Sequence, residues 1–488
     1  MERHVGMAGS APRTVVIVGA GFAGTTVATS LLRIPHAEPL RIVLLERAQI
    51  GRGVAYAQRP YPYLLNVPAG RMSANPDDPT EFLAFARRRQ QGATAEDFLP
   101  RELYGDYLES SLVHAEAAAP AHVELRRVYG TATEIERFHR TPVVQVHLAD
   151  GRKLSADAVV LALGNPPPAA LPGDESLRGW SRYSADPWQS PADVRAGEAV
   201  CVVGTGLTAV DAVVAASHAA GGAAEFHAIS RHGLLPPSQT HFQPLHDRCD
   251  AQLLLRSASV SVTCLVRTMR RLSEECQLRG GDWREVVTFV RELAPALWQR
   301  LSVPERRRFL RHARCYWDIH RHRLPAVVAD TLSALRRSGQ LHLHAGRLVR
   351  VERSGRRIRI TWRPRGHHSP RVLLVDRLIN CTGPDYDIRR TRERLLRTLV
   401  AHGVASPDPL GLGLLTDSRG ALVDASGRAA RNLYYVGPML RATYWETTAV
   451  AELREHAVKL AMHLAQAAEQ PHTLPAPSRQ AHAAAPPG

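Results

Sequence analysis

Two glycine-rich loops hold the residues of this chain best suited to chemistry. The first, Gly19-Ala20-Gly21-Phe22-Ala23-Gly24, follows an apolar run at residues 15–18. The second, Gly204-Thr205-Gly206-Leu207-Thr208-Ala209, follows another at 200–203. Unbroken apolar runs of this length read as parallel strands buried on both faces. In a strand–turn–helix unit the first glycine permits a tight turn and the second lets the backbone approach a pyrophosphate. The third position must be small so that helix and strand pack closely. The anion then rests on free N–H groups at the positive end of the helix. Each loop also precedes an Ala/Val-rich helical stretch, the context that lifts a glycine pattern above chance. One such loop binds one dinucleotide. Two imply electron transfer between a nicotinamide and a flavin.

The end of the following strand distinguishes the two loops. Leu40–Glu46 closes on Glu46, about 20 residues past the first glycines, where a carboxylate accepts both ribose hydroxyls. An N-terminal site of this kind reads as FAD-binding. After the second loop, residues 224–230 are followed by Arg231 and His232, and Arg231 occupies the place of Glu46. Ser230, Arg231 and His232 would hold a 2′-phosphate that a carboxylate would repel. NADPH is therefore favoured, with NADH left open, since Arg231 is also readable as a solvated arginine in an Arg-rich chain.

The elements that position these loops indicate an α/β fold with two Rossmann-like dinucleotide-binding domains, each three-layered, and a helical insertion. At 488 residues the chain exceeds one core. Residues 13–189 with 384–466 are expected to form a discontinuous FAD-binding domain, and 190–383 an NAD(P)-binding domain. Apolar residues at three- and four-residue spacing in 253–272, 283–298 and 304–323 predict a helical insert over about 240–340. Asp150-Gly151 reads as a hairpin turn joining 143–148 to 158–164. Residues 372–383 read as one buried strand, and 432–438 as a closing strand that leads into a helix from about Glu446. The Ala/Pro/Gly/His-rich ends, 1–12 and 467–488, are expected to be disordered.

The net charge of +16 would usually point to nucleic acid. Only Lys153 and Lys459 are lysines, however, and the arginines are spread along the chain, as a GC-rich coding sequence produces. No nucleic-acid motif accompanies them. No run approaches the roughly 18 apolar residues of a membrane span, and no apolar signal region precedes the first strand. Cys201, Cys249, Cys264, Cys276, Cys315 and Cys381 form no C-x-x-C. That pattern fits a reducing cytoplasm and argues against a dithiol flavoprotein reductase. Cys201 and Cys381 read as packing residues. The His-rich stretch 311–323 completes no convincing ligand set, so no metal is expected.

Several stretches resemble the bacterial FAD-NAD(P)-binding oxidoreductases, relatives of the flavin-containing and N-hydroxylating monooxygenases. They are Gly51-Arg52-Gly53-Val54-Ala55-Tyr56, Leu64-Leu65-Asn66-Val67-Pro68-Ala69 with Met72-Ser73-Ala74, residues 317–323 (WDIHRHR), and Trp445-Glu446-Thr447-Thr448-Ala449-Val450. The resemblance implies that Gly19, Gly21, Gly24 and Glu46 hold FAD, and that Gly204, Gly206 and Arg231 serve NADPH. It also implies that the Asn66–Met72 loop lies close to the isoalloxazine. Phe22, Ala23, Gly164, Leu207, Thr208, Gly383, Gly437 and Thr447 complete the candidate cofactor-binding residues.

Two residues are candidates for catalysis. The Asn66 amide can donate and accept at a flavin edge, although it is equally a turn residue before Pro68. Glu446 is placed to bring a carboxylate near the flavin, although it is equally a glutamate complementing a helix start. On a helix Arg314, Asp318 and Arg321 share one face. They read either as an Arg314–Asp318 ion pair, or as part of a clamp with Arg323 for an acidic substrate or the NADPH phosphate.

The chain departs from its relatives in two places. Gly437-Pro438 stands where many have Gly-Asp, which moves that cofactor contact elsewhere, for instance to backbone N–H groups near Glu446. The monooxygenase signature is degenerate, with Leu177 and Tyr183 in place of Phe and His. The expected activity passes hydride from NADPH to FAD, then electrons to O2 and a small molecule, an amine or acidic metabolite. The alternatives are a reductase without oxygen insertion and a flavin-binding redox sensor with little turnover.

Overall fold

The computed structural model describes residues 11–137, 143–188, 193–240 and 249–469. Residues 1–10 and 470–488 of the two expected tails lie outside these. The last helix, Val450–Glu469, runs three residues past the expected limit at 466.

The first glycine loop sits in a six-stranded sheet. Its order is Ala421–Val423, Ala429–Tyr435, Ala158–Leu161, Arg13–Val18, Leu40–Glu46, Val123–Tyr129. All pairings are parallel except that between the first two strands. The apolar runs are continuous because both faces are covered. Val15, Ile17, Ile42, Leu44 and Val160 pack in one core with residues of helices Phe22–Arg33 and Val450–Glu469. Val16, Val18, Val43, Leu45 and Val159 pack in another with a small three-stranded sheet and helix Arg394–Ala401.

The second loop sits in a seven-stranded sheet of order Arg371–Val375, Arg357–Pro364, Leu341–Ser354, Glu225–Ser230, Ala199–Val203, Arg377–Asn380, Tyr183–Ser184. Leu341–Ser354 pairs parallel to Glu225–Ser230 in its first half and antiparallel to Arg357–Pro364 in its second. Val200, Val202, Phe226 and Ala228 share a core with helices Leu207–Ala219 and Ala326–Arg337. On the opposite face Cys201, Val203 and Ile229 meet Ile358, Ile360 and Trp362 from the antiparallel extension.

Five expectations about elements are corrected. The Asp150-Gly151 turn joins Val144–Leu148 to Lys153–Ala156, and Ala158–Leu161 belongs to the main sheet. Tyr183–Ser184, expected within 13–189 of the first unit, is the edge strand of the second sheet. Residues 372–383 form two strands, an edge strand to Val375 and a central one from Arg377 to Asn380. The apolar pattern does not show the break because Asp376 accepts the Ala199 N–H and Arg377 is buried on Glu198. The insert is shorter than 240–340, since Ala326–Arg337 packs on its own sheet as the ordinary crossover helix. The final helix starts at Val450, so Glu446 is not at its N-terminus.

The inserted helices are Cys249–Val260, Val262–Leu278, Trp283–Arg300, Val303–Arg308 and Arg314–Arg321, with a π-helical turn at Phe309–Ala313. Ser261 caps one helix by accepting the Cys264 N–H, and Asp282 with Glu285 forms a capping box on the next. The core of the insert includes Leu254, Leu265, Leu297 and Trp298 together with Leu412, Ala442 and Trp445 from the first unit. The insert thus leaves the second sheet and docks on the first unit.

A candidate two-nucleotide site and the buried junction beside it

The two loops repeat one backbone device. Gly19 has φ +100° and Gly204 has φ +119°. A Cβ on either would strike a carbonyl of the neighbouring strand end, Ala162 O for Gly19 and Cys381 O for Gly204. Gly24 lies against the Gly19 carbonyl, and its counterpart Ala209 is buried, which keeps each helix tight on its sheet. Gly21 and Gly206 are the N-caps of their helices, and neither helix has a side-chain cap. The first N–H groups of Phe22, Ala23, Leu207 and Thr208 are therefore left for an outside acceptor. Both loops fit a pyrophosphate.

They differ in cover. Gly21 is half-buried, with Gly53 closing over it so that a Cβ there would come 3.5 Å from the Gly53 Cα. Gly206 is exposed and has nothing within 4 Å of a built Cβ. The Gly51–Gly53 cover is pinned by Arg52, whose buried guanidinium pairs with Asp106 and, at 2.8 Å, with Glu109.

Their charged residues differ too. Glu46 Oε2 accepts the Ala20 N–H of the first loop at 2.7 Å, and Oε1 accepts the Arg47 and Ala48 N–H groups. The carboxylate is thereby fixed at the loop. Arg231 is exposed and makes no hydrogen bond or ion pair among the described residues. The Ser230 hydroxyl accepts from Thr205 Oγ1 and the Gly233 N–H, which shapes the turn that presents Arg231. Burial, then the charges of Arg365 and Arg231, hold the His232 pKa below its usual range. Arg365 escaped the sequence reading because it comes from the turn after the distant strand Arg357–Pro364.

Gly164 and Gly383 begin the two segments that pair where the chain crosses between units. Pro168 pairs with Pro384, the Asp385 N–H donates to Pro167 O, and Tyr386 donates to Asn165 at 2.8 Å. A second tie is the Arg101–Asp211 ion pair at 2.8 Å, with Arg101 also over the rings of Tyr63 and Trp188. In the degenerate signature, Leu177 is core and Tyr183 donates to buried Asp174, and neither touches a loop.

The Asn66–Met72 segment shares a core with Phe22 of the first loop and with Val450 and Leu453 of the last helix, through Ala69 and Met72. Asn66 itself is half-buried, and its amide has no hydrogen bond among the described residues. Thr447 is brought to the residue after Gly437: its fully buried hydroxyl donates to the carbonyl of Pro438.

Glu446 stands on a strained turn. Trp445 has φ 61°, ψ −60°, and the Glu446 N–H donates to Tyr444 O at 2.7 Å, the geometry of a classic-type γ-turn. Trp445 is the only non-glycine residue with positive φ among those described. It is held there by Trp298 at 5.0 Å, Phe309 at 4.9 Å and the Arg441 guanidinium at 3.9 Å from its ring. Such strain persists only where packing over-determines it, and it clusters at functional sites.

The strain delivers a buried carboxylate to the insert. Glu446, 5% exposed, accepts Trp317 Nε1–H at 2.8 Å and pairs with Arg321 at 3.3 Å. The two sequence stretches 317–323 and 445–450 therefore meet in space. Arg291 pairs with Glu452 beside them, and Arg441 approaches Asp318 at 3.8 Å. Arg314 pairs with Asp318 at 3.2 Å, so the ion-pair reading holds for that residue. Arg321 and Arg323 lie deeper. Arg323 feels the charge of Arg71 on the Asn66–Met72 segment and has its pKa lowered to about 10, first by burial and then by Arg284 and Arg321. The other side of helix Arg314–Arg321 reaches the turn after strand Glu225–Ser230: Cys315 Sγ lies 3.8 Å from His232 Nε2, and Tyr316 packs edge-on to His232.

Residues 16–166 match the model of the family described as FAD-NAD(P)-binding. No curated protein sequence matches the chain. Among solved structures it is similar to the reduced form of ornithine hydroxylase from Pseudomonas aeruginosa, at 15% identity and TM-score 0.62, over 93% of this chain and 99% of that one. It is similar to ornithine N-hydroxylase from Kutzneria sp. 744, solved with reduced FAD, NADP+ and L-ornithine, at 18% identity and TM-score 0.61, over 94% and 100%. It is also similar to a thioredoxin reductase from T. acidophilum, at 11% identity and TM-score 0.51, over 94% and 100%. Among the described residues no helix is long and apolar enough to cross a membrane. The chain has the two-domain FAD/NAD(P) flavoprotein fold.

Proposed function

We propose that the chain is an FAD-dependent NAD(P)H oxidoreductase of monooxygenase-like organisation. FAD is assigned to the six-stranded unit through Gly19, Gly21, Gly24 and Glu46. NADPH is assigned to the seven-stranded unit through Gly204, Gly206 and Arg231, with His232 and Arg365 beside the 2′-phosphate. Bound FAD would supply hydride acceptance from the nicotinamide and electron delivery to O2 or a small molecule.

The protein's own residues bind, orient and exclude. Glu46 fixes the ribose end of the first nucleotide, and the Gly51–Gly53 segment covers its phosphates. The insert closes water away from the junction at Glu446. The carrying observation is that one helix, Arg314–Arg321, touches His232 with one side and Glu446 with the other, joining the two nucleotide ends. The substrate is an amine or an acidic metabolite, and the solved ornithine hydroxylases support the first. A cytoplasmic enzyme acting on a small molecule, with no nucleic acid or membrane partner, is the accompanying reading.

A second reading, a reductase without oxygen insertion, is favoured by Leu177 and Tyr183, which serve the core where the oxygenase signature has Phe and His. A visible spectrum of the purified protein, with NADPH and NADH oxidation, oxygen uptake and peroxide measured together, tests these two and the redox-sensor reading. Flavin absorbance and faster oxidation of NADPH are expected. Absence of bound flavin overturns the enzyme reading. Oxidation coupled to an acceptor without oxygen uptake selects the reductase, and flavin reduction with negligible turnover selects the sensor.

A further inference from the structure

The junction beside Glu446 holds more cation than anion. The guanidiniums of Arg284, Arg291, Arg321, Arg323 and Arg441 face the carboxylates Asp282, Asp318, Glu446 and Glu452. Four buried guanidinium donors, Arg284 Nε, Arg291 Nε, Arg321 Nη2 and Arg441 Nε, have no acceptor among the described residues, nor has the Trp445 indole N–H, against a single unpaired carboxylate oxygen, Glu452 Oε2. The Arg321 side chain is nine-tenths buried, 10% exposed. Donors taken from water and left unpaired are unfavourable, and a guanidinium offers a planar fork suited to a carboxylate.

His322, next in sequence to Arg321, keeps solvent contact while protein encloses it. Its imidazole is held neutral, pushed down to about 3 by burial and then by Arg321, so it adds no charge of its own. On helix Arg314–Arg321, Trp317 and Arg321 lie on the side away from Cys315 and Tyr316, which touch His232. Arg321 therefore faces away from the end of the second nucleotide that carries the 2′-phosphate.

We propose, taking the Glu446 turn as the flavin-facing end of the first unit, that this junction receives a carboxylate of the substrate on Arg321 and Arg291, and that the substrate is a net-anionic acid. An acid satisfies the orphaned donors. A net-cationic amine would bring a further positive charge toward five guanidiniums at low dielectric.

The FAD-loaded protein is titrated with succinate, with its neutral isostere succinamide and with 1,4-diaminobutane, at matched ionic strength. Melting temperature, calorimetry and the flavin absorbance bands are followed. Succinate raises the melting temperature and perturbs the flavin bands, whereas the other two do not. Arg321→Lys and Arg291→Lys, which keep charge but lose the fork, weaken succinate binding by about 10- to 100-fold, the range of a hydrogen bond to a charged group, and leave NADP+ affinity within twofold. Should either variant fail to fold, the three-probe comparison on the unaltered protein decides alone. An equal response to succinate and succinamide, or none to succinate, overturns the proposal and leaves the donors to water. Weaker NADP+ binding with an unchanged succinate response assigns the arginines to the nucleotide and overturns it as well. Protein that holds no flavin defeats the oxidoreductase reading, while its melting response to succinate still scores the anion site.

Discussion

The two glycine loops share a backbone and differ in everything placed on top of it. Gly21 lies under Gly53 and the Arg52 clamp, and its acidic partner Glu46 is tied down by three backbone N–H groups. Gly206 is open, and Arg231 stands exposed. A nucleotide enclosed by protein leaves slowly, and one bound at an open loop leaves quickly, because affinity differences appear mostly in the dissociation rate. The contrast is what a resident flavin and an exchanging nicotinamide require of one chain.

The contrast can be broken most sharply at the third glycine of the first loop. Gly24→Val would drive side-chain atoms into the Gly19 carbonyl and toward Ala162, and should cost about 3 kcal/mol or more. The expected product is protein purified without flavin absorbance and with a lowered melting temperature. Flavin retained at full occupancy would break the assignment of this loop. Next in size is Arg231→Ala. It should lower kcat/KM for NADPH by about 10- to 100-fold and leave NADH unchanged, since only the 2′-phosphate loses a charge-assisted bond. An equal loss with both cofactors would return Arg231 to the solvent.

Acid sharpens the comparison differently. His322 has an ordinary pKa near 6.5 when unfolded and about 3 when folded, so the folded state favours its neutral form. Its contribution is complete above pH 6.5 and is lost as pH falls toward 3. About 1–2 kcal/mol should be gone by pH 5, seen as a falling melting temperature that His322→Gln flattens. Gly206→Ala is the mild counterpart of Gly24→Val. With open space around it, stability should change by within about 0.5 kcal/mol, flavin should stay, and KM for NADPH should rise. The smallest effect belongs to His232. A bound 2′-phosphate favours its charged form, so NADP+ affinity should increase as pH drops below the usual histidine range. Calorimetry with NAD+ should show no such slope.

Short-range patterns made the nucleotide loops legible. Apolar runs, glycine spacing and one charged residue at a strand end lie within about 30 residues of each other, the length of a βαβ unit, and the parallel register follows from them. The insert was legible as helix but not as a partner, because periodicity gives a buried face without saying what covers it. Its boundary failed for the same reason: Ala326–Arg337 has the same apolar spacing as the inserted helices but packs on the other unit. The Glu446 error was of another kind. A helix start was read from residues 446–450, whereas Trp445 adopts a conformation that no local propensity favours and that only Trp298, Phe309 and Arg441 sustain. Glu452, Arg291 and Arg441 were invisible for want of any sequence proximity.

The place where the insert enters the chain has a consequence for how the molecule assembles. Glu225–Ser230 and Leu341–Ser354 are neighbouring parallel strands, yet about 110 residues (231–340) intervene where a crossover of some 25 would suffice. Loop closure grows only as the logarithm of length, so the detour adds roughly 1.3 kcal/mol to the entropy of pairing those strands. The larger effect is on rate, since non-local pairings form slowly. The helices of the detour make mostly local contacts and can form before the strands on either side of them meet. Their docking on the six-stranded unit would then bring the two halves of the seven-stranded sheet into reach, which makes the insert a folding scaffold as well as a cover. It also makes this the segment that related chains could exchange, altering the substrate while both nucleotide loops stay as they are.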